Sequence, residues 1–159
     1  MDFLWSPWRY GYVTQEQPLT GCIFCLMRDS SDDDAALVLH RAHHSFIVLN
    51  RFPYTSGHLM LVPNQHVATL SDCPPEALQE MSLLARQAEA NLFKTYNCPG
   101  LNLGFNIGAC AGAGVAGHIH MHVLPRWPGD ANFMTTIGET RVLPEDLAVT
   151  YRRLKGLWI

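Results

Sequence analysis

The 159-residue chain has no apolar run near the roughly 18 to 20 residues that a membrane span needs, so no membrane partner is expected. It has no block of Lys or Arg either: 11 basic residues are scattered among 14 acidic ones, for a net charge of −3. A sequence-independent grip on DNA comes from neutralising phosphates, so nucleic acid is not an expected partner. The N-terminal MDFLWSPWRYGYV has an acid at Asp2 and aromatics where an export signal has a basic start and an apolar stretch, and a cytoplasmic protein is expected. Cysteine is sparse and odd in number, at five. Two of them form Cys22-Ile23-Phe24-Cys25. In a reducing compartment that spacing points to a metal or a redox dithiol, or to two cysteines that are simply buried. No repeat and no second domain is visible, so residues 1–159 are read as one domain. What is abundant is apolar material, 48% against 16% charged, enough for a core and far from a disordered composition.

Residues 1–21, rich in aromatics and turn formers, read as an arm. The polar Ser30–Asp34 reads as a loop. Ala36–Arg41, Ser45–Asn50 and His58–Pro63 are short β-branched or aliphatic runs expected as strands, the last two joined by RFPYTSG. After Pro74-Pro75, apolar residues recur at three and four (Ala77, Leu78, Met81, Leu84, Ala85, Ala88, Leu92). This is the period of an amphipathic helix ending near Tyr96, with Asp72 or Ser71 as its cap. Leu101–Asn106 is a further strand, Gly108–Gly117 is almost all Gly and Ala, and a last helix is expected over 144–156. Hairpin-like connections and few helices give an α+β fold: an antiparallel sheet with one long helix and a C-terminal helix.

The segment Ala116–Trp127 reads AGHIHMHVLPRW. Strict alternation is a strand signature, and it places His118, His120 and His122 on one face with Ile119, Met121 and Val123 on the other. At about 3.3 Å per residue, His118 and His122 are roughly 13 Å apart, too far to share one ion easily. The row therefore divides its duties. A plain polar strand face is one reading, and a metal site on a neighbouring H-x-H pair is another. A third is phosphate chemistry: the adjacent Gly/Ala loop lets backbone N–H groups approach an anion, and a neutral imidazole can attack phosphorus while a second donates to its oxygens.

The run His118-Ile119-His120-Met121-His122-Val123-Leu124 resembles the signature of the histidine triad (HIT) superfamily. Val48-Leu49-Asn50, Thr55–Pro63 and Asn106-Ile107-Gly108 resemble the family's upstream segments. LWSPWR and PRWPGDANF resemble a small prokaryotic branch related to diadenosine tetraphosphate phosphorylases. The resemblance implies a single HIT domain in which His120 is the nucleophile that takes up a nucleotidyl group and His122 donates to the phosphate oxygens. It implies that Asn50 contacts ribose and Asn106 frames the phosphate site. Where family members often carry Ser or Gln before the triad, this chain has Ala113-Gly114-Val115, so the backbone around Gly114 is expected to make that contact. His58 is expected to orient a triad residue, and His40, His43 and His44 to be surface or loop residues. Zinc-containing bacterial members bind metal with a CxxC and two histidines at the places of Cys22, Cys25, His66 and His118. The implied zinc is structural, since a Cys₂His₂ set closes the tetrahedral shell.

The implied substrate is a purine nucleotide or dinucleoside polyphosphate such as diadenosine tetraphosphate, cleaved at the α-phosphate by phosphorolysis or hydrolysis. Phosphoramidate hydrolysis, and nucleotide sensing with little turnover, are the alternatives. The family also implies a homodimer, to which Trp5 and Trp8 could contribute. Trp127, stiffened by Pro125 and Pro128, is expected either to line the cleft and contact substrate or to be a buried anchor.

Overall fold

The structure, a computed structural model, describes residues 21–131, 133, 137 and 145–158. The arm expected over 1–21, with Trp5 and Trp8, lies outside these residues except for Gly21. Helix α1 (Ile23–Asp29) and the short α2 (Asp33–Ala36) lead into β1 (Val38–Arg41), β2 (Ser45–Leu49) and β3 (Leu59–Pro63). The long helix α3 (Pro75–Tyr96) follows, then β4 (Gly100–Phe105), a 3-10 turn (Ala109–Ala111), β5 (Met121–Arg126) and α4 (Leu147–Leu154). The strands form one antiparallel sheet in the order β1-β2-β3-β5-β4. Among the described residues, no helix is long and apolar enough to cross a membrane.

Strands β2 and β3 are buried at every position, which is why SFIVL and LMLVP read as continuous apolar runs. Successive residues still face opposite ways. Ile47, Leu49, Leu59 and Leu61, with Val123 of β5, pack against Met81, Leu84, Ala88 and Leu92 of α3. Phe46, Val48, Met60 and Val62 pack instead against Phe24 and Met27 of α1. The sheet thus has a helix-covered face and a second face that α1 covers in part, and the second carries the triad.

Strands β2, β3 and β4 differ from the sequence expectation by a single residue at one end or both, helix α1 is not expected from the sequence at all, and four boundaries differ by more. Pro74, not Asp72 or Ser71, is the N-cap of α3, with Pro75 behind it in the first turn. Proline has no N–H to leave unpaired there, and Asp72 is engaged by the Thr69 hydroxyl at 2.6 Å. Ser30–Asp34 is not all loop: Asp32 accepts from the Ala35 N–H at 3.0 Å and starts α2, so β1 begins only at Val38. The last helix starts after Asp146, whose carboxylate caps Ala148 N–H at 2.7 Å, and ends at Leu154; Pro144 lies outside the described residues. Strand β5 starts at Met121 rather than His118. Ahead of it the ladder with β3 ends, because the Ile119 N–H turns to the Val67 carbonyl at 2.7 Å.

One glycine is fixed by close approach. Gly57, at φ +78°, precedes His58, and a Cβ there would sit 2.8 Å from the Tyr96 ring and 3.1 Å from Pro125. The loop that delivers His58 is pressed directly onto the end of α3. His43 and His44 lie in the β1–β2 turn, where Glu80 of α3 accepts both of their backbone N–H groups. His40 is on β1 itself, half-buried and stacked 6.4 Å from Trp158.

Candidate functional site

The three triad imidazoles divide into two environments. His118 is fully buried, and its Nε2 lies 2.9 Å from the Pro63 carbonyl, an acceptor only. Nε2 must therefore carry the proton, which leaves a lone pair on Nδ1. That atom is 3.3 Å from Cys22 Sγ and 3.8 Å from Cys25 Sγ, while His66 Nδ1 is 3.4 Å from Cys25 Sγ. The four ligand atoms all lie within 4.8 Å of one another. A tetrahedral ion with legs of about 2.0–2.3 Å has edges of roughly 3.3–3.8 Å, so the donor set fits a metal such as zinc in type and in spacing. The Pro63 carbonyl orients His118 from behind, as metal-binding histidines require. Desolvation by burial, and then the neighbouring Cys22, push the Cys25 thiol up.

Residues His120 and His122 lie beyond the chelating cluster, at the start of β5. His120 Nδ1 is 2.9 Å from the His118 carbonyl, so Nδ1 donates and Nε2 keeps its lone pair. Burial pushes its pKa below the usual histidine range, against the pull of that carbonyl. His122 takes the opposite tautomer through a relay. The Tyr54 N–H donates to His58 Nδ1 at 3.1 Å, so the His58 proton is on Nε2, which donates to His122 Nδ1 at 2.9 Å. Neutral His122 therefore carries its proton on Nε2. Burial, and then the neighbouring His120, push its pKa down to about 4. At neutral pH the site presents one imidazole lone pair and one imidazole N–H, with the two rings 4.8 Å apart.

The structure places Asn50 beside this relay, with Nδ2 3.3 Å from His58 Nδ1 and Oδ1 accepting from the Phe52 N–H at 2.9 Å. Asn106 follows Phe105, the last residue paired with β5 (opposite Met121), so it sits at the His120 end of the β4–β5 ladder. Gly114 is exposed in the turn that leads to the triad. Trp127 is not brought to the imidazoles. It lies five residues past His122, roughly 17 Å along an extended strand, and its ring meets Tyr96 of α3 edge-on at 6.3 Å.

Two residues of this region are not singled out by sequence reasoning. Tyr54 supplies the N–H that sets the relay, and its ring stacks on His122 at 5.9 Å. No side-chain pattern marks a backbone donor. Phe24 lies between the cysteines and packs on His118 and His120. Its spacing of three from buried Met27 is the available signal, but it spans only one helical turn.

Comparison with known proteins identifies the family. A family model described as the HIT domain matches residues 32–129. A protein of Mycobacterium tuberculosis named AP-4-A phosphorylase is 36% identical, over an alignment covering 98% of this chain and 83% of that protein. An uncharacterized HIT-like protein of Mycoplasma genitalium is 30% identical and aligns over 79% of this chain and 87% of its own length. Among solved structures, a Zn-bound histidine triad family protein from Mycobacterium smegmatis superposes with a TM-score of 0.68 at 27% identity, covering 86% of this chain and 92% of that one. The family match spans more than half of the sequence, takes in His58, His66 and the whole triad, and leaves the Cys22–Cys25 segment outside it: the chain belongs to the HIT domain family.

Proposed function

We propose that this chain is a nucleotidyl hydrolase or transferase that cleaves a dinucleoside polyphosphate at an α-phosphate through a covalent nucleotidyl-His120 intermediate. The observation that carries this reading is the pair of opposed tautomers: a lone pair on His120 Nε2 beside an N–H on His122 Nε2. His120 Nε2 attacks the α-phosphorus, an N–P bond forms, and the bridging P–O bond breaks with its electron pair leaving on the nucleoside polyphosphate. The His122 N–H donates to the non-bridging oxygens as their charge grows. Asn50 faces the ribose and Asn106 the phosphate, while the backbone around Gly114 contacts the leaving side. An incoming phosphate or water then attacks the same phosphorus, breaks the N–P bond and restores the imidazole. The similarity to the mycobacterial AP-4-A phosphorylase supports phosphate as the acceptor and diadenosine tetraphosphate as the substrate.

Zinc is the metal proposed for Cys22, Cys25, His66 and His118. With all four positions filled by protein it supplies a cross-link between α1 and the segment before β5. The likeness to a Zn-bound family member supports that choice.

The test is to incubate the protein with diadenosine tetraphosphate, with and without inorganic phosphate, and to separate the nucleotides. ADP with ATP, formed only when phosphate is present, is the expected result. AMP with ATP would make water the acceptor. No turnover of the dinucleotide, with an adenosine phosphoramidate cleaved instead, would overturn the substrate assignment.

A further inference from the structure

Helix α1 does more than carry two cysteines. Phe24 lies between Cys22 and Cys25 in sequence and is 3% exposed. Its ring is 4.8 Å from the His120 ring at 49°, and 5.5 Å from the His118 ring at 76°. His120 also meets His122 at 4.8 Å. The hydrogen bond from His120 Nδ1 to the His118 carbonyl fixes one atom of the imidazole. A ring held at one atom still pivots about it, and aiming Nε2 at phosphorus needs a second constraint. Close packing against a rigid aromatic supplies one, since interiors this dense leave a ring little room to turn.

We propose that Phe24 is a positioning residue for His120: the helix that bears the two cysteines presses its aromatic ring on the nucleophile and holds the reacting nitrogen on line. The proposal rests on the reading of His120 as nucleophile. It links the cluster of Cys22, Cys25, His66 and His118 to the reaction by two routes, the His118 carbonyl and the Phe24 ring. The contrast with Phe46 separates positioning from core filling. Phe46 belongs to the same apolar cluster and is fully buried, but it lies on β2, two strands from β5 and roughly 10 Å across the sheet.

The experiment compares Phe24→Leu with Phe46→Leu in the zinc-loaded full chain. Four readouts are taken: kcat and KM on diadenosine tetraphosphate, zinc per chain, the melting temperature, and the imidazole nitrogen NMR spectrum of His120. Phe24→Leu is expected to keep its zinc and its KM while kcat falls roughly 10- to 100-fold, the scale of a misaimed reacting group. With its ring no longer packed, His120 is expected to swing off the His118 carbonyl part of the time and so lose its single Nδ1–H tautomer. Phe46→Leu is expected to lower the melting temperature at least as much as Phe24→Leu does, with kcat within about twofold of wild type. Phe24→Met, which keeps apolar bulk, replaces Phe24→Leu if that variant loses metal or fold. Unchanged kcat and tautomer in the Phe24 variants, or an equal loss of kcat in Phe46→Leu, would overturn the proposal. The NMR readout needs no substrate, so it decides the matter even if the wild-type chain proves inactive on dinucleotides.

Discussion

On the α3 face of the sheet, Ile47, Leu49, Leu59, Leu61 and Val123 meet Met81, Leu84 and Leu92 with no imidazole in the cluster. On the opposite face the apolar cluster of Phe46, Val48, Met60 and Val62 gives way, toward β5, to His58, His118, His120 and His122. Both faces bury apolar side chains, but only the second also buries imidazoles. It does so by giving each imidazole a partner that dictates where its single proton sits. The α3 face specifies volume, and the triad face specifies hydrogen positions. Substitutions on the two should therefore fail in different ways.

The sharpest way to break that comparison is His120→Asn. Turnover should fall by more than about 10⁴-fold, beyond the usual range of general acid–base help alone, with nucleotide binding still measurable. Residual activity above about one per cent in a clean preparation would reject His120 as nucleophile and remove the chemistry from this face. Met81→Ala is the counterpart on the other side. It should reduce unfolding free energy by about 2–5 kcal/mol in a denaturant titration, with kcat per folded molecule unchanged. A rate loss matching the stability loss would show that the two faces are not separable.

His58→Phe keeps the volume and removes the relay. Because His122 would then be free to carry its proton on either nitrogen, kcat should fall roughly 10²-fold while the melting temperature changes little. Proton positions also give the triad face its own pH response. Burial, and then the neighbouring His120, depress the folded-state pKa of His122 to about 4, and burial lowers that of His120 as well. The unfolded chain therefore binds more protons than the folded one once pH drops below about 6.5, so stability is full above that pH and is lost as pH falls toward 4. Replacing His122 by Asn should flatten this slope, as measured by denaturant midpoints at successive pH values, whereas Met81→Ala should shift the whole curve without changing its shape. The smallest effect is expected at Trp127, whose ring meets Tyr96 rather than the imidazoles. Trp127→Ala should lower the melting temperature and leave KM near its wild-type value for a dinucleotide and for a small AMP ester alike. A rise in KM of about 5- to 150-fold would place it in the cleft through stacking worth ~1–3 kcal/mol.

The sequence makes the two faces unequally legible. The period of three and four in α3 and the unbroken apolar runs of β2 and β3 are packing signals, and packing is written in side-chain type. The alternation from His118 to Leu124 is legible too, but it reports which way side chains point and not where backbone pairing stops, so it overruns the start of β5 by three residues. The chelating set can be assembled from spacing and family resemblance, because each member has a side chain that can ligate. The tautomers cannot. They depend on the Pro63 carbonyl, the His118 carbonyl and the Tyr54 N–H, backbone groups that nearly every residue carries (proline lacks only the N–H) and that no sequence pattern advertises. Helix α1 is missed because seven residues span barely two turns, too few for a period to show.

The two glycines at opposite ends of the site give the molecule an uneven freedom to evolve. At Gly57 any side chain runs into Tyr96 and Pro125, so the loop that brings in His58, and with it the proton relay, can scarcely be explored by mutation. At Gly114 a Cβ would meet nothing within 4 Å, and the backbone there has no left-handed conformation to forbid one. A lineage descending from this protein can thus try new side chains at Gly114, beside the triad, while the loop that delivers His58 stays as it is.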